Sequence, residues 1–398
     1  MNQPPNSPAP SDYTALVGAT IHTSPSEAPI RDGVVLIQGE KILAVGPRAQ
    51  MQFPETAHVL DCLGLTITAG LWNSHVHLFE RKWADASTVP APELTRQLQD
   101  MLTRYGFTSV FDIGSSWENT RRLRDRIDSG EVPGPKIRST GPGLVPPGAF
   151  PSDQILGVMG LMKFPAPEIA DPAQAAAAAK KLLDEGVDAI KLFASAQRGP
   201  SLSESTFQAA VDEAHRAGKP VFVHPNTATD ILTAVRGGVD IIAHTTPHTG
   251  PWDDTLVAAM KERRVALTPT LTLWKYYLRH DRLSAQEKVT NTEIAQLRAW
   301  LAAGGEVLFG TDLGAVEYDP SEEYALMSQA GMNFPKILAS LTTAPAERFG
   351  ESDQRGRVAP GLQADLTVFR QNPSASLHAL TAVQYTLRSG KVIFRSTD

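Results

Sequence analysis

Two histidines separated by a single valine, His75 and His77, lie in the stretch LWNSHVHLFE at positions 71–80. On an extended strand, residues two apart project to the same side, so both imidazoles face one way. Further polar residues end or interrupt apolar runs downstream: Lys191 in AIKLF, His224 in VFVHP, His244 in IIAHT and Asp312 in FGTDLG. A polar side chain in such a run is unfavourable unless something satisfies it. Imidazole nitrogen and carboxylate oxygen together suit a divalent metal, Zn²⁺ first, with Mn²⁺, Fe²⁺ or Co²⁺ also compatible. Hydrogen-bonded core side chains explain any one of these residues alone. They explain less well why four separate strands each contribute His or Asp.

The elements that must position these residues are readable. FTSVFDIG, PKIRSTG, VDAIKLFAS (187–195), PVFVHP (220–225), VDIIAHT (239–245), VALTPTL (265–271) and EVLFGTD (306–312) join LTITAGLWNSH to make eight strands. Their runs are continuous rather than alternating, as expected of parallel strands buried on both faces. Helical stretches separate them. Asp171-Pro172 opens AQAAAAAKKLLDEG with a capping carboxylate and a proline, and Ser203 to Gly218 follows the same grammar. Eight strand–helix units over about 280 residues fit an α/β fold of the (β/α)₈ TIM-barrel type, whose chemistry gathers at the C-terminal strand ends. Residues 13–65 and 355–398 alternate instead, with Ser389-Gly390 as a hairpin turn, and predict a small β-sandwich made by both chain ends. The barrel then spans 66–354, and the proline-rich residues 1–12 read as a disordered tail.

Composition narrows the function classes. The 398 residues are 42% hydrophobic and 20% charged with a net charge of −6, which disfavours nucleic acid and anionic membrane as partners. Cys62 is the single cysteine, so neither a disulfide framework nor a cysteine metal cluster is expected. No apolar run is long enough to span a bilayer, and the tail carries no apolar leader segment. A cytoplasmic homo-oligomer is the expectation; an exported form with its leader removed would look the same.

Taken in order, NSHVH at 73–77, AIKLF at 189–193, VFVHP at 221–225, IIAHT at 241–245 and FGTDLG at 309–314 resemble the motifs of the amidohydrolase superfamily. RVAPGLQADLTVF at 357–369, GATIHT and IQGEKILAVG look like its terminal sandwich strands. SLSESTFQAAVDEAHRAGKPVFVH and AVRGGVDIIAHTTP are similar to its imidazolonepropionase-like and Xaa-Pro dipeptidase-like branch. The resemblance implies two divalent metal ions, most readily Zn²⁺. His75, His77 and Asp312 would hold one, His224 and His244 the other, and an N6-carboxylated Lys191 would bridge both. An ammonium of pKa about 10.4 cannot ligate a cation, whereas its carbamate can. The implied reaction is hydrolysis of a C–N amide bond in a small molecule, a dipeptide or an N-acyl amino acid, by a metal-activated hydroxide. Asp312 is the implied general acid/base, with His244 also catalytic. Cyclic amide or lactone hydrolysis is the alternative reaction, one metal with Lys191 as a plain amine the alternative centre, and a non-catalytic barrel relative the alternative class. One departure is informative. Deaminases and imidazolonepropionases carry a glutamate three residues after the strand-five histidine, and here His224-Pro225-Asn226-Thr227 has no acid.

Substrate contacts are expected from His248, just past strand six, and from Tyr276, Tyr277 and Arg279 in LTLWKYYLRHDR, with Arg279 suited to a carboxylate. A helix merely packing on the barrel is the competing reading of that segment. The apolar stretch GPGLVPPGAFPSDQILGVMGLMKFPAP suggests a lid or pocket wall for a substrate with a hydrophobic part.

Overall fold

The computed structural model describes residues 12–149, 166–196 and 200–397. Most of the apolar stretch after Gly141 therefore falls outside the described residues. All eight predicted runs contain a strand. Leu71–Val76, Phe107–Asp112 and Lys136–Ser139 form one parallel sheet; Ile190–Phe193, Val221–His224, Ile241–Ala243, Ala266–Thr268 and Glu306–Val307 form a second, in chain order. The ladders are two sheets rather than one continuous closed ladder. Backbone contacts cross both gaps. On one side Leu144 bridges Leu192 and the Asp188 N–H donates to Ser139 O at 2.8 Å. On the other, Val76 bridges Leu313, and Ser74 N and His77 N donate to Phe309 O and Leu313 O, each at 2.7 Å.

The continuous apolar runs hide a period of two. Ile190, Leu192, Val221, Val223, Ile242 and Leu267 join the core shared with the helices. Their neighbours Ala189, Phe222, Ile241 and Ala266 pack in a separate cluster with Trp72, Phe111 and Phe349. Phe222 and Phe349 each stand 4.9 Å, centroid to centroid, from Phe111. Lys191 and His224 follow Ala189 and Phe222 by two residues, so they lie on this inner face, one step nearer the strand ends. The helices between the strands start as the sequence predicts. Asp171 Oδ1 caps Pro172–Asp184 by accepting from Gln174 N at 2.8 Å, and Ser203 Oγ caps Glu204–Arg216 by accepting from Thr206 N at 3.2 Å.

Both chain ends meet in one eight-stranded sheet. Lys391–Arg395, Val383–Arg388, Leu366–Phe369, Thr66–Ala69, Tyr13–Ile21, Ile30–Gln38 and Lys41–Pro47 lie side by side, with His58–Asp61 also paired on Tyr13–Ile21. Ser389 and Gly390 turn the last hairpin at φ 47° and 74°. LTITAGLWNSH, one run in the sequence, is two strands: Thr66–Ala69 belongs to the terminal sheet and Leu71–Val76 to the parallel one. The change occurs at Gly70, where a Cβ would collide with the Thr108 side chain. Among the described residues, no helix is long and apolar enough to cross a membrane.

Candidate metal centre

His75 lies at the end of the first parallel strand and His77 just beyond it, where the ladder slips. Pairing with Phe107–Asp112 shifts register between Leu71 and Trp72 and again between Asn73 and Val76. Such irregularities re-aim side chains. Asp312, five residues beyond the last parallel strand (Glu306–Val307), meets them: one ligand atom from each of the three residues lies within 4.8 Å of the others. His75 Nε2 and His77 Nε2 stand 2.9 and 2.8 Å from Asp312 Oδ1. Yet His75 Nε2 and Asp312 Oδ1 are buried with no partner in hydrogen-bonding geometry, as are Nδ1 of both histidines. Buried polar atoms are normally satisfied, and leaving one unmet costs about 1–3 kcal/mol. Lone pairs converging on one point without mutual hydrogen bonds fit a divalent cation, and the donor set of two imidazoles and a carboxylate suits Zn²⁺ or a neighbouring transition ion.

Electrostatics agree with that fit. Burial drives His75 down to about 3 against the pull of Asp312, so its imidazole is neutral with a lone pair to give. Burial opposes the charge of Asp312, but the approach of two imidazole nitrogens to within 2.9 Å of its Oδ1 favours the anion more and holds the carboxyl well below its usual range. The backbone is held in an uncommon state as well. His244, Thr270 and Asp312 have φ of 77°, 46° and 63°, and such left-handed non-glycine residues gather at functional sites.

The other three predicted residues adjoin this triad. Ring centroids run from His77 to His75 at 5.3 Å, on to His244 at 4.5 Å and on to His224 at 4.5 Å. His244 Nδ1 lies 2.6 Å from Thr270 Oγ1, which fixes the ring and leaves Nε2 available. Burial lowers His244 well below its ordinary value and His224 to about 3. The side chain of His224 retains some exposure, into the cavity. Lys191 is 1% exposed, and burial lowers its ammonium to about 7, with Asp312 opposing. Support came from residues the sequence reading did not single out. Asn73 Oδ1 accepts from His75 N at 3.2 Å while its Nδ2 donates to Thr311 Oγ1 at 2.7 Å. Asn226 Nδ2 donates to Ser195 O and Oγ, and Ser195 Oγ donates to Asp230 at 2.7 Å. Asn226 follows His224 by two, a spacing that could have flagged it.

Comparison with known proteins gives the architecture its place. The family model described as amidohydrolase family matches residues 66–394, from the start of the LTITAGLWNSH run to the last strand. This chain belongs to the amidohydrolase family. No curated protein sequence matches it. Among solved structures, a Xaa-Pro dipeptidase with bound methionine in its active site superposes with a TM-score of 0.83 at 21% identity, covering 96% of this chain and 100% of that one. At that identity the likeness speaks for the fold. A putative prolidase from Bifidobacterium longum gives 0.81 at 26% identity, over 98% of this chain and 96% of its own. A prolidase complexed with N-methylphosphonate-L-proline gives 0.78 at 26%, over 96% and 100%.

In this amidohydrolase the polar cluster floors a cavity of about 210 Å³. His77, Lys191, His224, His244 and Asp312 reach it from below, and Phe79, Val145, Phe193, Leu273, Trp274, Tyr277 and Leu278 are among its walls. Of the four expected substrate contacts, His248 and Tyr277 line the cavity, while Tyr276 and Arg279 are not among the described lining residues. Arg279 is exposed, its guanidinium 4.1 Å from the Tyr276 ring centroid and its Nη1 donating to Tyr276 O at 2.8 Å. Helix geometry explains the split. In Thr272–Tyr277 and its extension, Leu273, Trp274, Tyr277 and Leu278 share one face, and Tyr276 with Arg279 occupies another.

Proposed function

We propose that this amidohydrolase is a metal-dependent hydrolase of a C–N amide bond, with a dipeptide or N-acyl amino acid as substrate. The observation that carries the reading is the convergence of His75, His77 and Asp312 with their ligand atoms unpartnered. In this reading those three would hold one divalent cation and His224 and His244 a second, with Lys191, as a carbamate, supplying an anionic oxygen ligand. Carbamate formation needs a neutral amine to attack CO₂ and release one proton. A buried Lys191 lowered to about 7 supplies that amine near neutral pH. The contacts across both sheet gaps support closure of the eight parallel strands, from Leu71 onward, into one (β/α)₈ barrel, flanked by the sheet that both chain ends build and that also takes Thr66–Ala69.

A divalent cation in such a site acidifies a water toward neutral pH and polarises a carbonyl. Asp312, ionised and buried, is placed to take the proton of the attacking water and return it to the departing nitrogen, which leaves as an amine. Thr270 holds the His244 ring still while this happens. The prolidase likenesses at 26% identity favour a dipeptide, and the absence of an acid at Pro225-Asn226-Thr227 speaks against deamination. The test is a panel of dipeptides, N-acyl amino acids, lactams and lactones assayed with the metal-loaded enzyme. Turnover of the first two classes is expected. Turnover confined to lactams or lactones would transfer the site to the cyclic-substrate reading, and none at all would favour a non-catalytic relative. Exchange of Lys191 for alanine should remove most activity, with partial recovery on adding a short carboxylic acid. Full activity in that variant would remove Lys191 from the centre.

A further inference from the structure

The cavity above the polar cluster has a chemical bias that the hydrolytic reading leaves unused. Its floor is charged and its walls are not. Phe193 stacks on His224 with centroids 5.0 Å apart and planes at 30°, and Phe79 stacks on His77 at 4.7 Å and 28°. Trp274 stands edge-on to His248 at 5.0 Å, anchored by its Nε1–H donating to Thr245 O at 3.2 Å. Leu273 and Val145 fill between these rings. The size is informative too. A cavity of about 150 Å³ holds a benzene molecule, and this one measures about 210 Å³. One aromatic ring with a substituent fits.

Among the described residues, three cations on the elements that border the cavity are engaged elsewhere. Arg279 is held on Tyr276, Lys275 pairs with Glu322, and Lys82 binds Glu80 and Tyr318. A carboxylate or ammonium pressed against Phe193, Leu273 and Trp274 would lose water and find no partner on those three side chains, which is the unfavourable case for a buried charge. An uncharged ring or branched alkyl group would gain from leaving water and from edge and face contacts with Phe193 and Trp274.

We propose that this chamber is the specificity pocket of the site, taking one uncharged apolar group of about the size of a substituted benzene ring, selected by Phe193, Leu273, Trp274 and Tyr277. The proposal rests on the amide-hydrolase reading for which bond is broken, and on the chamber alone for which group is held. It assigns Phe, Leu or a comparable group to one side of the scissile bond. Any carboxylate of the substrate stays at the mouth.

The experiment is a dipeptide matrix with the metal-loaded enzyme, each position in turn carrying Phe, Leu, Gly, Glu or Lys. One position should favour Phe or Leu over Glu and Lys by about 100-fold in kcat/KM. Trp274→Ala should shrink that ratio by about 10-fold, while Trp274→Phe, which keeps a ring, should retain most of it. Equal turnover of charged and apolar residues at both positions, or a preference for charge, overturns the proposal. Toluene, which has no scissile bond, separates this from failure of the hydrolase reading. Saturable toluene binding by ligand-detected NMR in wild type, lost in Leu273→Asp, supports the pocket even if no dipeptide is cleaved. Absence of binding together with inactive dipeptides overturns it.

Discussion

Two buried aspartates close apolar strand runs in this molecule, and their oxygens meet opposite fates. Asp112 ends the second parallel strand and is saturated. Its Oδ1 accepts from Leu78 N at 3.1 Å and from Ser115 Oγ, and its Oδ2 accepts from Thr120 Oγ1 and Ser139 Oγ, both at 3.0 Å. Asp312 follows the last parallel strand with two imidazoles against it, and its Oδ1 completes no hydrogen bond. In sequence the two look alike, FDIG and GTDL. What separates the two acids is therefore not burial or position but whether the fold has supplied partners. At Asp112 hydroxyls and an amide tie together the ends of three strands. At Asp312 the fold brings two imidazoles against one carboxylate oxygen and completes no hydrogen bond there.

Substitutions can break this contrast, and the largest effect belongs to Asp312. Asp312→Asn keeps the shape but puts an amide where an anion should be. Turnover by the metal-loaded enzyme should fall by about 1,000-fold and metal content should drop with it. Retained metal and activity would remove Asp312 from the centre. Thr270→Val leaves all six polar residues in place and removes only the hydroxyl against His244 Nδ1. Loss of an orienting partner of this kind should lower activity by about 10-fold, and an unchanged rate would show that the ring needs no help. Asp112→Asn is the counterpart. It should destabilise the fold by about 1–3 kcal/mol in denaturant unfolding while leaving metal content as in wild type. Metal loss in a folded Asp112→Asn protein would erase the distinction between the two acids.

Much of this was visible in the sequence, for identifiable reasons. His75 and His77 betrayed themselves by period, and Lys191, His224, His244 and Asp312 by interrupting apolar runs; all six lie in one cluster. Ser389-Gly390 turned where a two-residue hairpin turn should. Other features needed three dimensions. Gly70 divides one apolar run between two sheets because Thr108 occupies the space a side chain would need. Thr270 and Asn73 serve residues 26 and two positions away, and nothing local marks them. Tyr276 and Tyr277 are adjacent, but neighbours on a helix point about 100° apart, so one lines the cavity and the other holds Arg279.

A further effect concerns a buried acid beneath the Thr270 segment. Glu323 lies on the helix Ser321–Gln329, accepts from Leu271 N at 2.9 Å and Thr272 N at 3.0 Å, and is pushed up to about 8 by burial. Its folded value exceeds its ordinary 4.5, so the folded state keeps a proton that the unfolded chain releases. Stability from this group is complete below about 4.5 and declines as pH rises toward about 8. Glu323→Gln should flatten that decline, by a few kcal/mol at most. The check is unfolding free energy measured from pH 5 to pH 8, and an unaltered slope would mean that Glu323 ionises freely.

The central claim, a metal centre assembled from six strand-end residues, is tested most directly by elemental analysis of the purified chain beside its Lys191→Ala variant. The account predicts about two divalent cations per wild-type chain and about one or fewer in the variant. Full hydrolytic activity in a wild-type chain carrying no divalent cation would contradict it.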